Sequence, residues 1–120
     1  MKFSNTHEWA ELNDSIAVVG ISNFGRIHLG DIINIKLPNV NENVKKDQIV
    51  CTIESNKAAV DIHTPLSGTI IEINKTLERD LKPLNISPEQ QGWIFKVKIS
   101  NKQEFESLMS LQEYEKKVSK

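Results

Sequence analysis

A single lysine, Lys57, stands in the middle of a short polar segment within the stretch CTIESNKAAVDIHTPLSGTI, residues 51–70. The residues on either side have the composition of β-strands, so Lys57 falls at the predicted tip of a hairpin. The segment offers no evident partner for the amine. Lys57 is therefore either one solvated charge among 15 basic residues or an attachment point for another group.

Other residues that could do chemistry are sparse. Cys51 is the only cysteine, so it forms no internal disulfide, and its place in the apolar run IVCTI predicts a small buried core residue. The three histidines have no cluster of cysteines or carboxylates at metal-ligand spacing, so we expect no metal site. No nucleophile–base pair or carboxylate pair stands out, which makes an autonomous enzyme the weakest interpretation.

Length and charge limit the number of domains and the kinds of partner. A chain of 120 residues predicts a single domain, residues 1–120. Lysine plus arginine (15) nearly balance aspartate plus glutamate (16), and no charged run is long enough to bind nucleic acid or a membrane surface. The sequence shows no transmembrane span and no secretory or transit segment. The simplest predicted location is the cytoplasm of a bacterium, although a trimmed organellar protein would show the same features.

A two-residue hydrophobic period predicts an all-β body over residues 2–99 or so. It is carried by short segments rich in isoleucine and valine, most of them bounded by glycine, proline, asparagine or aspartate. These predicted strands are 15–21, 31–37, 48–53, 58–63, 68–73 and 93–99. A brief helical turn is predicted between the first two, at residues 22–29.

The period changes in the tail, where a helical appendage is predicted over residues 101–118 or so. Ser100 with Gln103 has the pattern of a capping box, and apolar residues follow at helical spacing. Ser110 with Glu113 repeats the pattern before a second apolar stripe.

A weak internal repeat relates HLGDIINIKLP, residues 28–38, to PLSGTIIEINK, residues 65–75. Gly30 and Gly68 stand in register, each followed by one polar residue and two isoleucines. The repeat predicts two similar β-halves packed face to face. The segment between them must cross over and return, which again places Lys57 at a turn.

Several motifs occur together in the order and spacing of a known family. They are HEW (7–9), VGIS (19–22), LGDI (29–32), LP (37–38), ESNKAAVDIHTPLSG (54–68), EIN (72–74) and GW (92–93). On these motifs the chain resembles the lipoyl/biotinyl carrier fold, a barrel-sandwich hybrid, and within it the glycine cleavage H-protein family. Biotin carriers typically hold their lysine between two methionines, whereas Lys57 lies between Asn56 and Ala58.

The resemblance implies a mainly β fold with a C-terminal helical appendage and a lipoate joined to Lys57 by an amide. It implies a carrier subunit, not an enzyme, which shuttles an aminomethyl intermediate on the lipoyl arm. The implied partners are glycine decarboxylase (P protein), aminomethyltransferase (T protein), dihydrolipoyl dehydrogenase (L protein) and a lipoyl ligase or transferase. Nucleic acid and membrane are not among them.

In the resembled family the loaded arm can fold back against the body of the carrier. By motif position the docking residues here would be Glu8, His28 and Asp61. The two carboxylates could pair with an aminomethyl cation, and His28 could donate or accept a hydrogen bond near neutral pH. Each has an alternative: Glu8 and Asp61 as solvated charges, and His28 as a satisfied histidine at a helix end.

Departures from the family pattern keep a second hypothesis open. Asn41 and Asp47 replace usual turn glycines, but both residue types tolerate positive φ, so we expect the turns to survive. Val60, Glu89 and Gln90 depart at positions that could meet partners or the arm. The alternative function is an H-like lipoyl relay or signalling protein that donates or presents its lipoyl group to other systems.

Overall fold

The computed structural model describes residues 1–119, which contain nine strands and several short helices. The strands are β1 Lys2–Phe3, β2 Glu8–Asn13, β3 Ile16–Ile21, β4 Ile32–Lys36, β5 Asn43–Val44, β6 Ile49–Ser55, β7 Ala59–His63, β8 Gly68–Ile73 and β9 Phe95–Ile99. The helices are α1 Asn23–Leu29, α2 Lys82–Ile86, α3 Lys102–Glu106 and α4 Leu111–Val118, with a 3₁₀ turn at Lys75–Glu78.

The strands form two antiparallel sheets that do not close into a barrel. The larger has the order β1-β2-β3-β9-β8-β5, and the smaller has the order β4-β6-β7. The six strands predicted from the two-residue period are confirmed, as is the helical turn that became α1. The period does not reveal three of the nine strands that the structure describes, β1, β2 and β5. Two of them, β1 and β5, have only two residues each, too short for a period to show. In β2 the first three residues are all buried, so the segment EWAELN does not alternate regularly.

Apolar side chains from both sheets meet in one core. Val19, Ile53, Ile70 and Val97 have no exposed surface, and they come from strands of both sheets. Cys51 lies in the same core at 4% exposure, and burial raises the pKa of its thiol to about 12. The prediction of an inert core cysteine is therefore confirmed, since at neutral pH the thiol stays protonated.

The internal repeat corresponds to two equivalent strands in opposite sheets. Gly30 precedes β4 of the smaller sheet, and Gly68 begins β8 of the larger one. Both glycines have positive φ, 89° and 153°. The first isoleucine after each, Ile32 and Ile70, points into the core at 3% and 0% exposure. The two repeat units therefore form strands of opposite sheets, and each buries its equivalent isoleucine in the core between them.

Two turns keep their shape without glycine. Asn41 has φ of 73° and Asp47 has φ of 72°, both in the left-handed region. Short side chains that hydrogen-bond locally make asparagine and aspartate the residues best able to replace glycine there. The expectation that these turns survive is confirmed.

The tail forms two short helices, and one of its two predicted caps was wrong. Ser110 and Glu113 make the reciprocal capping box at the start of α4. Asn101, not Ser100, caps α3 by accepting from the Gln103 amide. Ser100 follows directly after β9, and its amide donates to the Ser67 carbonyl at 3.0 Å. Within residues 1–119, no helix combines the length and apolar character needed to cross a membrane.

Candidate functional site

The three residues 56–58 form the exposed turn between β6 and β7, and Lys57 lies in its middle. The buried hydroxyl of Ser55 holds this turn from below. Its Oγ accepts from the backbone amides of Lys57 and Ala58, both at 3.1 Å, and donates to the Ala58 carbonyl at 3.2 Å. The backbone carrying Lys57 is thus fixed while its side chain stays accessible, as the sequence predicted for the hairpin tip.

The turn is also braced against the segment that leaves α1. The Asn56 amide donates to the Asp31 carbonyl at 3.0 Å. A Cβ at Gly30 would lie 2.8 Å from Asn56 Oδ1 and 3.0 Å from Lys57 Cε. The φ of 89° is what requires glycine at position 30, and the absence of a Cβ also lets the side chains of Asn56 and Lys57 lie close to its backbone.

A groove of about 270 Å³ begins beside this tip, between α1, the end of β3, β7 and the segment before β2. Most of its walls are apolar. The lining side chains include Ile21, Phe24, Leu29, Val60 and Ile62, with Thr6, His7, His28 and Asp61 as the polar members. The departure at Val60 therefore adds a branched apolar side chain to the groove.

Two of the three predicted docking residues reach the groove. His28, near the end of α1, is exposed, and its Nδ1 lies 2.9 Å from the Phe24 carbonyl while its ring lies 4.0 Å from the Phe24 ring. That contact leaves Nε2 as the nitrogen available to a ligand. Asp61 on β7 is also exposed, and its closest hydrogen-bond partner is the Thr52 hydroxyl at 3.5 Å.

Glu8 lies behind the groove wall, where it joins the two sheets. Its side chain is 1% exposed, so the alternative of a solvated charge is wrong for this residue. One oxygen accepts from the hydroxyls of Ser4 and Thr6, and the other accepts from the His63 amide at 3.0 Å. Burial raises the pKa of the Glu8 carboxyl above its usual value, although these hydrogen bonds partly oppose the shift.

His63 faces the same carboxylate. Its Nδ1 lies 3.8 Å from Glu8 Oε2 and, within residues 1–119, has no hydrogen-bond partner. Asp61, in contrast, is exposed, as both of its interpretations require. It is the only carboxylate among the described residues that line the groove.

Sequence reasoning missed Thr6, His7 and Phe24 as members of the groove. His7 has φ of 73°, a left-handed conformation that costs a histidine about 1 kcal/mol or more. Burial lowers the pKa of its imidazole, and the nearby Lys117 and His28 lower it further. The motif HEW contains His7, but only the tertiary structure shows its ring in the groove wall.

The departure at Glu89 has a structural role. Its carboxylate accepts from the Asn23 amide at 2.7 Å, at the start of α1. The neighbouring Pro88 carbonyl accepts from Trp9 Nε1 at 2.9 Å. Glu89 therefore helps to hold the helix that forms one wall of the groove. No group of three histidine, cysteine, aspartate or glutamate side chains within residues 1–119 could hold a metal ion.

Two packed antiparallel sheets with one lysine on a braced, exposed hairpin tip define the lipoyl/biotinyl carrier fold. Within that class the chain belongs to the glycine cleavage H-protein family, because the model of that family matches residues 1–120.

Relatives and a solved structure agree with this assignment. A glycine cleavage system H protein from Thermotoga maritima is 44% identical over 114 residues, which is 95% of this chain and 92% of that protein. A probable glycine cleavage system H protein from Aeropyrum pernix is 41% identical over 120 residues, 100% of this chain and 84% of that protein. The crystal structure of a glycine cleavage system H protein from Mycobacterium marinum has a TM-score of 0.87 and 26% identity, covering 99% of this chain and 96% of that one.

The role of Ser55 can be tested by Ser55→Ala. We expect the amides of Lys57 and Ala58 to lose their protection from hydrogen exchange, and the free energy of unfolding to fall by about 1 kcal/mol, because a buried hydroxyl that serves three backbone groups is removed. Exchange followed by NMR gives the measurement. Asn56→Ala, in the same turn, is the control and should leave both amides protected. Unchanged protection in Ser55→Ala would contradict the assignment.

Glu8→Gln tests the buried carboxyl. A raised folded-state pKa means that the folded protein binds the Glu8 proton more tightly than the unfolded chain, whose value is near the usual 4.5. This contribution is complete below the usual value and is lost as pH rises through the folded-state pKa.

We therefore expect the stability of the wild type relative to Glu8→Gln to decrease with pH across that interval. Urea unfolding of both proteins at a series of pH values from about 4 to about 8 measures the difference. A stability difference that stays constant or increases with pH would show that the pKa of the Glu8 carboxyl is not raised.

Proposed function

We propose that the protein is a lipoyl carrier that shuttles an aminomethyl intermediate between the enzymes of the glycine cleavage system through a lipoyl arm on Lys57. The observation that carries the proposal is the exposed Lys57, held by its backbone on a rigid tip beside an apolar groove. An amine that must be acylated by one enzyme and then visit others needs this combination of access and fixed position.

The residues present fit a lysine-linked lipoyl group. Gly30 leaves room for the Lys57 stem, since an added Cβ would lie 3.0 Å from Lys57 Cε. Leu29, which precedes it, and Val60, which follows the tip, both line the groove that starts there. A long aliphatic chain can therefore pass from the tip onto an apolar surface. When attached, lipoate supplies the disulfide and thiol chemistry, which is the group's own.

The polar groove residues would hold the loaded end of the arm. Asp61 is an exposed carboxylate and suits a cationic amine through a charge-assisted hydrogen bond. His28 Nε2 can donate or accept at the same wall. Glu8 would act indirectly, because its carboxylate accepts from the Thr6 hydroxyl and so orients a groove residue that the arm can touch.

The proposed partners follow from family membership. They are the P protein, a glycine decarboxylase; the T protein, an aminomethyltransferase; the L protein, a dihydrolipoyl dehydrogenase; and a lipoyl ligase or transferase that modifies Lys57. The carrier itself contributes no catalytic group in this proposal. It raises the local concentration of a tethered intermediate at each enzyme. A location in the bacterial cytoplasm remains a prediction from the sequence.

The first test concerns modification. We expect Lys57→Arg to fold normally and keep the positive charge but to gain no lipoyl group, because a guanidinium cannot form the amide. The protein is produced with a lipoyl ligase and its intact mass is measured. Lys45→Arg changes another exposed lysine and should still gain one lipoyl group. Lipoate on Lys57→Arg, or its loss in Lys45→Arg, would place the attachment elsewhere.

The second test concerns arm docking. We expect Asp61→Asn to load normally but to release the labelled group about threefold faster than the wild type, because an exposed charge-assisted hydrogen bond contributes modestly. Labelled glycine and a glycine decarboxylase load the lipoylated protein, and release is followed with time. Glu54→Gln removes an exposed carboxylate on β6 that does not line the groove, so it should match the wild type.

Equal release from all three proteins would remove Asp61 from docking. Failure of the fully lipoylated wild type to load at all would instead favour the relay function, in which the lipoyl group serves other systems.

A further inference from the structure

Tyr114, on the C-terminal helix α4, makes contacts that the proposed function does not use. Its side chain is only 3% exposed. The hydroxyl lies 2.7 Å from His7 Nδ1 and 2.6 Å from Ser22 Oγ. One side chain near the end of the chain therefore joins two residues near its beginning.

Both partners belong to the walls of the groove. His7 lines it directly, with its backbone in the left-handed conformation. Ser22 caps α1, because its Oγ accepts from the Gly25 amide at 3.0 Å, and its own amide donates to the His7 carbonyl at 2.8 Å. The helix capped by Ser22 carries Phe24 and His28 into the same groove.

The phenol ring is held independently of its hydroxyl. It stacks on Phe3 with ring centroids 4.5 Å apart and planes 6° apart, and Phe3 is 2% exposed. The strand β1 also exchanges two backbone hydrogen bonds with Met109, just before α4, at 2.8 Å and 2.9 Å. Removing only the hydroxyl should therefore leave the helix in place.

A phenol hydroxyl has one proton, so it donates to one partner and accepts from the other. The direction of this short chain determines which nitrogen of the neutral His7 ring carries its proton. Because Nδ1 is engaged by Tyr114, Nε2 is the His7 nitrogen available to a ligand in the groove. Burial, Lys117 and His28 all lower the pKa of His7, which keeps the ring neutral and avoids repelling a cation.

We propose that Tyr114 is a positioning residue for arm docking: its hydroxyl fixes the His7 ring and the capped start of α1, and so keeps the two walls of the groove in place. This inference rests on the proposed function, because it assumes that the groove receives the arm. Tyr114 itself does not touch the arm. It gives the C-terminal helix a role beyond packing against β1.

Tyr114→Phe is the test, since it keeps the stacking on Phe3 and deletes the hydroxyl. The first readout uses the unlipoylated protein: we expect the ¹⁵N shift of His7 Nδ1 to move towards that of a free imidazole. The second uses the loaded protein, from which we expect about fivefold faster release of the labelled group, as expected from the loss of about one net hydrogen bond. The matched control is Ser110→Ala, which loosens α4 by deleting its capping box but keeps the Tyr114 hydroxyl.

A changed His7 shift with faster release in Tyr114→Phe, and wild-type values for both in Ser110→Ala, would support the proposal. An unchanged His7 shift would overturn it. So would wild-type release in Tyr114→Phe, or equally fast release in Ser110→Ala, which would trace the effect to a loosened helix.

Loaded free lipoamide serves as the unprotected reference. Release from the wild type as fast as from this reference would overturn arm docking itself, and the role of Tyr114 with it. That result is distinct from the failure of Tyr114 alone, in which the wild type protects the loaded group and Tyr114→Phe protects it equally well.

Discussion

The site depends on holding a lysine without touching its amine. In the proposed function this side chain is acylated and moves between partners, so it cannot be fixed through its own hydrogen bonds. The structure fixes the backbone of Lys57 instead. Ser55, buried at the end of β6, bonds to three backbone groups of the turn. Asn56 adds a backbone hydrogen bond to the segment after α1, where Gly30 supplies the positive φ of 89°. The tip is therefore rigid although Lys57 is exposed.

The groove beside the tip is lined by both sheets, so its shape depends on their relative position. The buried carboxylate of Glu8, at the start of β2, connects them by accepting a hydrogen bond from the His63 amide at the end of β7. Burying a carboxylate is costly in itself, and the raised pKa expresses that cost. Hydrogen bonds from Ser4 and Thr6 offset part of it. Within residues 1–119, the buried Glu8 carboxylate is therefore hydrogen-bonded to the groove only through Thr6, whose hydroxyl donates to it.

The groove is assembled from parts of the chain that are far apart in sequence. The segment before β2 contributes Thr6 and His7, α1 contributes Phe24 and His28, and β7 contributes Asp61. A second cluster of Phe3, Trp9 and the C-terminal helix lies next to the main core and joins the two ends of the chain. The exposed lysine thus comes from one hairpin, while the walls of the groove beside it depend on segments near both termini.

The local features of this protein could be predicted from its sequence. Alternating isoleucines and valines determine strands, paired glycines mark the two halves, and the segment around Lys57 carries the signature of an exposed turn, because each depends only on neighbouring residues. What the tertiary structure alone decided is the burial of each polar side chain and the residues that it contacts. The family resemblance implied a docking role for Glu8, His28 and Asp61 alike, yet folding buried the first and exposed the other two. Contacts such as Tyr114 with His7 are equally invisible in the sequence, because they arise where distant segments pack together and not from any local spacing.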